Sequence, residues 1–119
     1  MEGTGIPSAW LRGLVDFCLL ALLAEGEAYG YELMRRLEEH GIGPIPGGSL
    51  YPALLRLENQ GHLASEWRAG AGGPGRKYYA LTGRGRAALA EDLGSWRSLS
   101  AAIDSLLRGA DGATEGVMA

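Results

Sequence analysis

The spacing of apolar residues changes twice along this chain, and the change limits the fold more than any other feature. Up to Gly61 it follows the helical period of about 3.6 residues; over 62–81 it falls to about two, the period of strands; from Gly83 it turns helical again. A helical head, a short hairpin and a last helix must follow one another in that order. The chain has 119 residues, of which 46% are hydrophobic, enough to give one domain a real core. Eleven of its 20 glycines cluster at 41–48, 70–75 and 109–116, where they act as joints between elements.

Residues 8–24 place Leu11, Leu14, Val15, Cys18 and Leu22 at helical spacing, with Leu19, Leu20 and Leu23 widening the stripe. This first helix is expected to be buried on most sides. Glu25-Gly26-Glu27 ends it, and over 28–39 Tyr29, Leu33 and Leu37 fall four apart while Arg35, Arg36, Glu38 and Glu39 take the opposite face. The run Gly41-Ile42-Gly43-Pro44-Ile45-Pro46-Gly47-Gly48 cannot continue a helix and forms a turn. A third helix follows, with Leu50, Leu54 and Leu57 as its core stripe and Gly61 as its left-handed C-terminal cap. With Ser49 as N-cap, Pro52 falls at the third helical position, where its missing N–H has no intrahelical acceptor to lose. Ser49, Tyr51, Arg56 and Asn59 are left for the other faces.

Residues 62–68 and 77–81 read as two strands joined by a glycine-rich loop over 69–76. Thr82 caps a last helix over 83–108, in which Leu89, Leu93, Trp96, Ile103 and Leu107 form a heptad-like seam that skips Ser100, broadened by Leu99 and Leu106. At 1.5 Å per residue this helix is about 39 Å long, more than a three-helix head covers, so its apolar face needs a partner. The simplest partner is a second copy related by a two-fold axis. The glycine-rich tail 109–119 is expected to be disordered. Three regions result: a head over 1–81, a dimerisation helix over 82–108 and the tail.

The net charge is −3, but five basic residues, Arg68, Arg76, Lys77, Arg84 and Arg86, fall between 67 and 90 with no acidic residue, which leaves −8 on the rest. Screening over about 8 Å lets such a local basic stripe bind phosphate on an acidic body. The longest uninterrupted apolar run, over 17–24, is far short of the ~20 residues of a membrane helix, and Glu2 and Asp16 argue against a secretory leader. A cytoplasmic protein is expected, and the lone Cys18 allows no intrachain disulfide. Gly70-Ala71-Gly72-Gly73-Pro74-Gly75 matches a dinucleotide fingerprint literally, yet a proline interrupts it and a strand, not a helix, follows. Cys18, His40 and His62 have no metal-ligand spacing, and nothing forms a nucleophile triad or carboxylate pair. Neither an enzyme nor a cofactor or metal is expected.

Three helices followed by a two-stranded hairpin is the order of a winged helix-turn-helix, mainly α with a small β-hairpin, here extended by the long C-terminal helix. The third helix is then the recognition helix and the loop is the wing. The free N–H groups at the start of that helix, with Gly48, Ser49 and Tyr51, suit close approach to phosphates and base edges. Arg56 either reaches DNA or pairs with Glu32 or another acid, and Arg76 and Lys77 stand at the foot of the wing for phosphate or minor-groove contact. Trp96, beside Leu93 on the seam, would meet its symmetry mate; the pair either packs as dimer core or forms a slot for planar ligands.

With these segments in place the sequence resembles the PadR family of bacterial transcriptional regulators. The resemblance lies in Tyr29-Gly30-Tyr31-Glu32-Leu33, in Gly48-Ser49-Leu50-Tyr51-Pro52-Ala53-Leu54 with Arg56-Leu57-Glu58 and Gly61, and in Gly73-Pro74-Gly75-Arg76-Lys77-Tyr78-Tyr79-Ala80-Leu81-Thr82. It covers residues 10–86, and the single C-terminal helix looks like the family's shorter subgroup. The resemblance implies a homodimeric repressor that binds a palindromic operator, often at its own promoter or that of a neighbouring transporter or detoxification gene, and is released by a small molecule. Gly48, Ser49, Tyr51, Arg56, Arg76, Lys77 and Tyr78 are the expected DNA-contacting set. The resemblance also implies Trp96 and Leu93 as the place for a flat aromatic effector. The chain departs from many members in its longer, glycine-rich wing over 69–75. The net acidity keeps a second reading open, an adaptor of the same fold that sequesters a ligand or binds a protein and has no affinity for DNA.

Overall fold

The computed structural model describes residues 8–118 apart from 12 and 71, with side chains over 10–112. In chain order the elements are α1 (Ser8–Leu11), α2 (Val15–Leu23), β1 (Ala28–Tyr29), α3 (Gly30–Glu39), α4 (Gly47–Asn59), β2 (Leu63–Gly70), β3 (Gly73–Leu81) and α5 (Gly83–Met118). They divide into two compact units, residues 1–89 and 90–119. The first is a winged helix-turn-helix head. The second is the remainder of α5.

The expected first helix is two helices, because Gly13 falls at a turn closed by the Leu14 N–H on the Leu11 carbonyl at 2.9 Å. Glycine inside a helix costs about 1 kcal/mol relative to alanine, and here the chain bends instead. α2, α3 and α4 then enclose the core. Leu19, Leu33, Leu50 and Leu54 are fully buried, joined by Leu20, Leu23, Leu37 and Leu57. Burial of each leucine is worth roughly 1.5–3 kcal/mol, so this cluster carries the head. Cys18 lies half-buried against it, and burial pushes its thiol up from the ordinary cysteine range.

The sequence places residues 28–39 in one helix; the structure gives the first two of them to a strand. β1 pairs antiparallel with β3 (Ala28 with Tyr79, Tyr29 with Tyr78), so the sheet has three strands in the order β1-β3-β2. The strand is missed by periodicity because its partner lies some fifty residues away and two residues carry no pattern of their own. The hairpin also departs from expectation. Its strands run through most of the glycine-rich segment to Gly70 and Gly73, with a bulge between Arg68 and Gly70. Ladder hydrogen bonds use backbone groups, so the lack of side chains does not prevent pairing.

The start of the expected third helix differs as well. α4 begins at Gly47 with Pro46 as N-cap, extended at φ −68° and ψ 154°, and no side chain caps it. The Pro46 carbonyl accepts the Ser49 N–H at 2.9 Å and the Leu50 N–H at 3.0 Å, which places Ser49 inside the first turn. A proline at that position already has its φ fixed, so the helix starts three residues earlier than a serine cap would allow. Pro52 is therefore inside the helix, where it deprives the exposed Gly48 carbonyl of its helical donor. The far end follows expectation. Gly61, at φ +81°, donates its N–H to the Glu58 carbonyl and His62 donates to Leu57, both at 2.9 Å, the double hydrogen bond of a Schellman cap.

Helix α5 runs to Met118, through the segment expected to be a disordered tail. The glycines at 109, 112 and 116 lower helix propensity but are separated by alanines, Glu115 and other residues the helix accepts. Its start is as expected: the Gly85 N–H donates to Thr82 Oγ1 at 3.0 Å and the Arg86 N–H to the Thr82 carbonyl at 2.9 Å. Gly85 is buried against the hairpin, and a Cβ there would lie 2.1 Å from the His62 carbonyl oxygen and 2.8 Å from Leu81 Cδ1. Gly85→Ala, a substitution that ordinarily strengthens a helix, should here lower the unfolding free energy by more than about 1 kcal/mol in a urea titration.

Candidate nucleic-acid interface

Helix α4 sorts its residues cleanly. Leu50, Ala53, Leu54 and Leu57 are buried, while Gly48, Ser49, Tyr51, Pro52, Leu55, Arg56 and Asn59 are exposed on the other faces. Tyr51 is 46% exposed, and its inner edge rests on the first residue of α3: a Cβ at Gly30 would lie 2.4 Å from Tyr51 Cε1. The ring is thus fixed between α3 and solvent. Leu55, 55% exposed, is an apolar member of this face that sequence reasoning missed; its place outside the Leu50–Leu54–Leu57 stripe was the available signal.

Arg56 takes an acidic partner, and that partner is Asp16 of α2 rather than Glu32. Its Nε donates to Asp16 Oδ2 at 3.1 Å and its Nη2 to Oδ1 at 2.7 Å, a two-pronged contact at the surface. The carboxylate raises the hold of Arg56 on its proton. Arg56 also borders a cleft of about 670 Å³ between α1, α2 and the start of α4, lined among others by Leu11, Val15, Ile45, Ser49 and Ala53.

The wing has two unlike faces, because successive strand residues point to opposite sides. On the inner face Ala28, Leu63 and Tyr79 enter the core. Further along it Lys77 Nζ stands 3.5 Å from Glu58 Oε1 and 5.6 Å from the centroid of the Tyr79 ring. Burial, with Glu58 and Tyr51 nearby, pushes the Tyr79 phenol up, so the ring beneath Lys77 stays neutral. Trp67, 71% exposed, lies opposite Lys77 in the ladder and was also missed as a surface residue.

The outer face carries a stack. Arg68 donates to both oxygens of Glu27 and, from Nε, to Glu66 at 2.8 Å. Its guanidinium lies 4.5 Å from the centroid of Tyr78, Tyr78 meets Tyr29 edge-on at 5.5 Å, and Arg76 lies 4.6 Å from the centroid of Tyr29. Glu27 is held below the usual carboxylate range by Arg68. Tyr78, expected among the contact residues, is a half-buried member of this stack. The basic stripe is consequently uneven. Arg68 and Lys77 face acids, whereas Arg76, Arg84 and Arg86 have no acidic partner among the described residues.

On α5, Leu89, which the sequence places on the seam, is half-buried and packs against the core of the head. The close approach at Gly85 presses the first turns of α5 onto the hairpin, and Leu89 follows one turn later. Beyond it Leu93 is half-buried, while Trp96, Leu99, Ile103, Leu106 and Leu107 are exposed, from 41% for Trp96 and Ile103 to 73% for Leu106. Among the described residues no helix is long and apolar enough to cross a membrane.

Residues 19–91 match the transcriptional regulator PadR-like family. A transcriptional regulator of Mycobacterium tuberculosis is 43% identical over 81 residues, which are 68% of this chain and 74% of that protein. Among solved structures, a PadR family transcriptional regulator from Eggerthella lenta is 44% identical, with a TM-score of 0.75 over 84% of this chain and 88% of that one. A PadR-like transcriptional regulator from Bacillus cereus is 37% identical, with a TM-score of 0.73 over 82% of this chain and 94% of that one. These relatives are regulators and not enzymes. The match covers α4, the wing and the start of α5 together, and the chain belongs to the PadR-like family of transcriptional regulators.

Proposed function

We propose that the protein is a dimeric, ligand-responsive repressor that binds a palindromic operator in the cytoplasm. The observation that carries this reading is the pairing of an exposed, polar start of α4, with Gly48, Ser49 and Tyr51, and a wing whose Arg76 has no acidic partner among the described residues. Helix N-termini and unpaired arginines are the groups that contact phosphates, and α4 is of the size that enters a major groove. In a two-fold dimer the two copies of α4 would enter successive major grooves about 34 Å apart, with the wings on the flanking backbone. Arg56 and Lys77, each already facing a carboxylate, are secondary members of this interface, and Tyr78 supports it from within the stack.

The exposed row on α5 supports the dimer. Exposed Trp96, Leu99, Ile103, Leu106 and Leu107, with half-buried Leu93 before them, form an apolar face of the kind that marks an interaction surface, and a second copy offers the same face in return. In that dimer Trp96 would meet its mate near the axis, and with Leu93 would bind a planar aromatic effector. The effector could release DNA only through a difference in its affinity for the two spacings of the heads.

On DNA from upstream of its own gene, Arg76→Ala should weaken binding about equally across sequences and reduce the slope of log K against log salt by about one, measured by fluorescence anisotropy. A wild-type protein that shows no shift on that DNA would favour the adaptor. The double variant Leu93→Glu with Leu107→Glu should be monomeric by light scattering; a surviving dimer would remove α5 as the interface.

A further inference from the structure

Arg68 and Arg76 stand directly opposite each other in the β2–β3 ladder, on the outer face of the wing. Two like charges in that position repel, so each needs something to stabilise it. The protein solves the two cases differently, and β1 supplies both solutions. Glu27, at the entry to β1, takes Arg68; Tyr29, two residues on, takes Arg76.

The difference decides what each arginine has left to give. A guanidinium donates its hydrogen bonds in its own plane, along the edge of the fork, and stacks through its face. Arg68 has used its edge, since Nε, Nη1 and Nη2 all donate to Glu66 or Glu27. Arg76 has its Cζ over the Tyr29 ring, 4.6 Å from the centroid, a place where the guanidinium can rest through its face, and no hydrogen bond or acidic partner of its fork is found among the described residues. A ring is the one kind of partner that orients an arginine without consuming the donors that phosphate requires. Tyr29 is itself kept in place by Tyr78, edge-on at 5.5 Å, and Tyr78 by Arg68 on its other side.

We infer that Tyr29 is a positioning residue for DNA binding: its ring holds the Arg76 guanidinium flat, with the fork open toward a backbone phosphate. Glu27 and Glu66 more than neutralise Arg68, so that Arg76 is the cation this face of the wing presents. The inference rests on the reading of Arg76 as a phosphate contact. Removal of the ring leaves the charge but frees the side chain, so affinity falls while the number of phosphates neutralised does not.

A double-mutant cycle on operator DNA tests this, with wild type, Tyr29→Met, Arg76→Ala and the double variant compared by anisotropy over a range of salt. Tyr29→Met should weaken binding roughly threefold, the size of a surface cation–π contact, with the salt slope unchanged. In the Arg76→Ala background the same substitution should cost nothing further, and Tyr29→Phe, which keeps the ring, should bind like wild type. An equal loss from Tyr29→Met in both backgrounds would mean a general structural effect and would overturn the inference, as would a Tyr29→Phe variant as weak as Tyr29→Met. Arg76→Lys, at an exposed wing position, covers the case in which Tyr29→Met does not fold. It keeps the charge and loses the planar fork, so it should bind more weakly at an unchanged slope, and wild-type affinity would overturn the inference. If Arg76→Ala itself changes neither affinity nor slope, the phosphate contact fails and the positioning role falls with it, a result distinct from failure of Tyr29 alone.

Discussion

Two residues of backbone pairing join the helices of the head to its wing. Ala28 and Tyr29 lie against Tyr79 and Tyr78, and because alternate strand residues face opposite ways, this short contact fixes two surfaces together. Ala28 goes inward and is fully buried with Leu33 and Leu54; Tyr29 goes outward, between Tyr78 and Arg76. A slip of one residue would send the tyrosine into the core and the alanine to the surface, so burial enforces the register. Glu27 reaches Arg68 only because that register holds. The wing is therefore oriented by the same segment that opens α3.

A second joint holds the ends of α4 and α5. The Schellman turn at Gly61 closes α4, the Gly61 carbonyl accepts the Thr82 hydroxyl at 2.7 Å, and the His62 carbonyl accepts the Thr82 N–H at 3.1 Å. The same Thr82 oxygen then accepts the Gly85 N–H and starts α5. Polar groups that two helix ends would leave open satisfy one another, and Gly85 allows the contact because a side chain there would overlap the His62 carbonyl. At the other end of α4, Gly30 plays the matching part by admitting the Tyr51 ring. The position of α4 thus depends on two glycines outside it.

What could be read directly from the chain was whatever depends on neighbours in sequence. The leucine stripe of α4, the Gly61 cap, the Thr82 cap and the change of period at the hairpin all rest on residues a few positions apart, and all appear as expected. The start of α4 was harder, because Ser49 and Pro46 both qualify as a helix boundary and local preference alone favours serine. The fixed φ of Pro46 and the two hydrogen bonds to its carbonyl settle it. The site was legible by residue type but not by availability. Arg76 and Arg68 look alike in the sequence, and so do Arg56 and Lys77; which of them face a carboxylate depends on Asp16, Glu27 and Glu58, each brought in from another element.

The order of amino acids was sufficient for the class of fold, the extent of the apolar stripe of α4 and the place of the wing, because hydrophobic period and capping are short-range properties. The tertiary structure was needed for the third strand, for the packing of Leu89 against the head and for the contrast between Arg68 and Arg76. Each of these depends on which distant residue arrives at a given spot, and a contact between residues forty or fifty positions apart leaves no period in the sequence from which to read it.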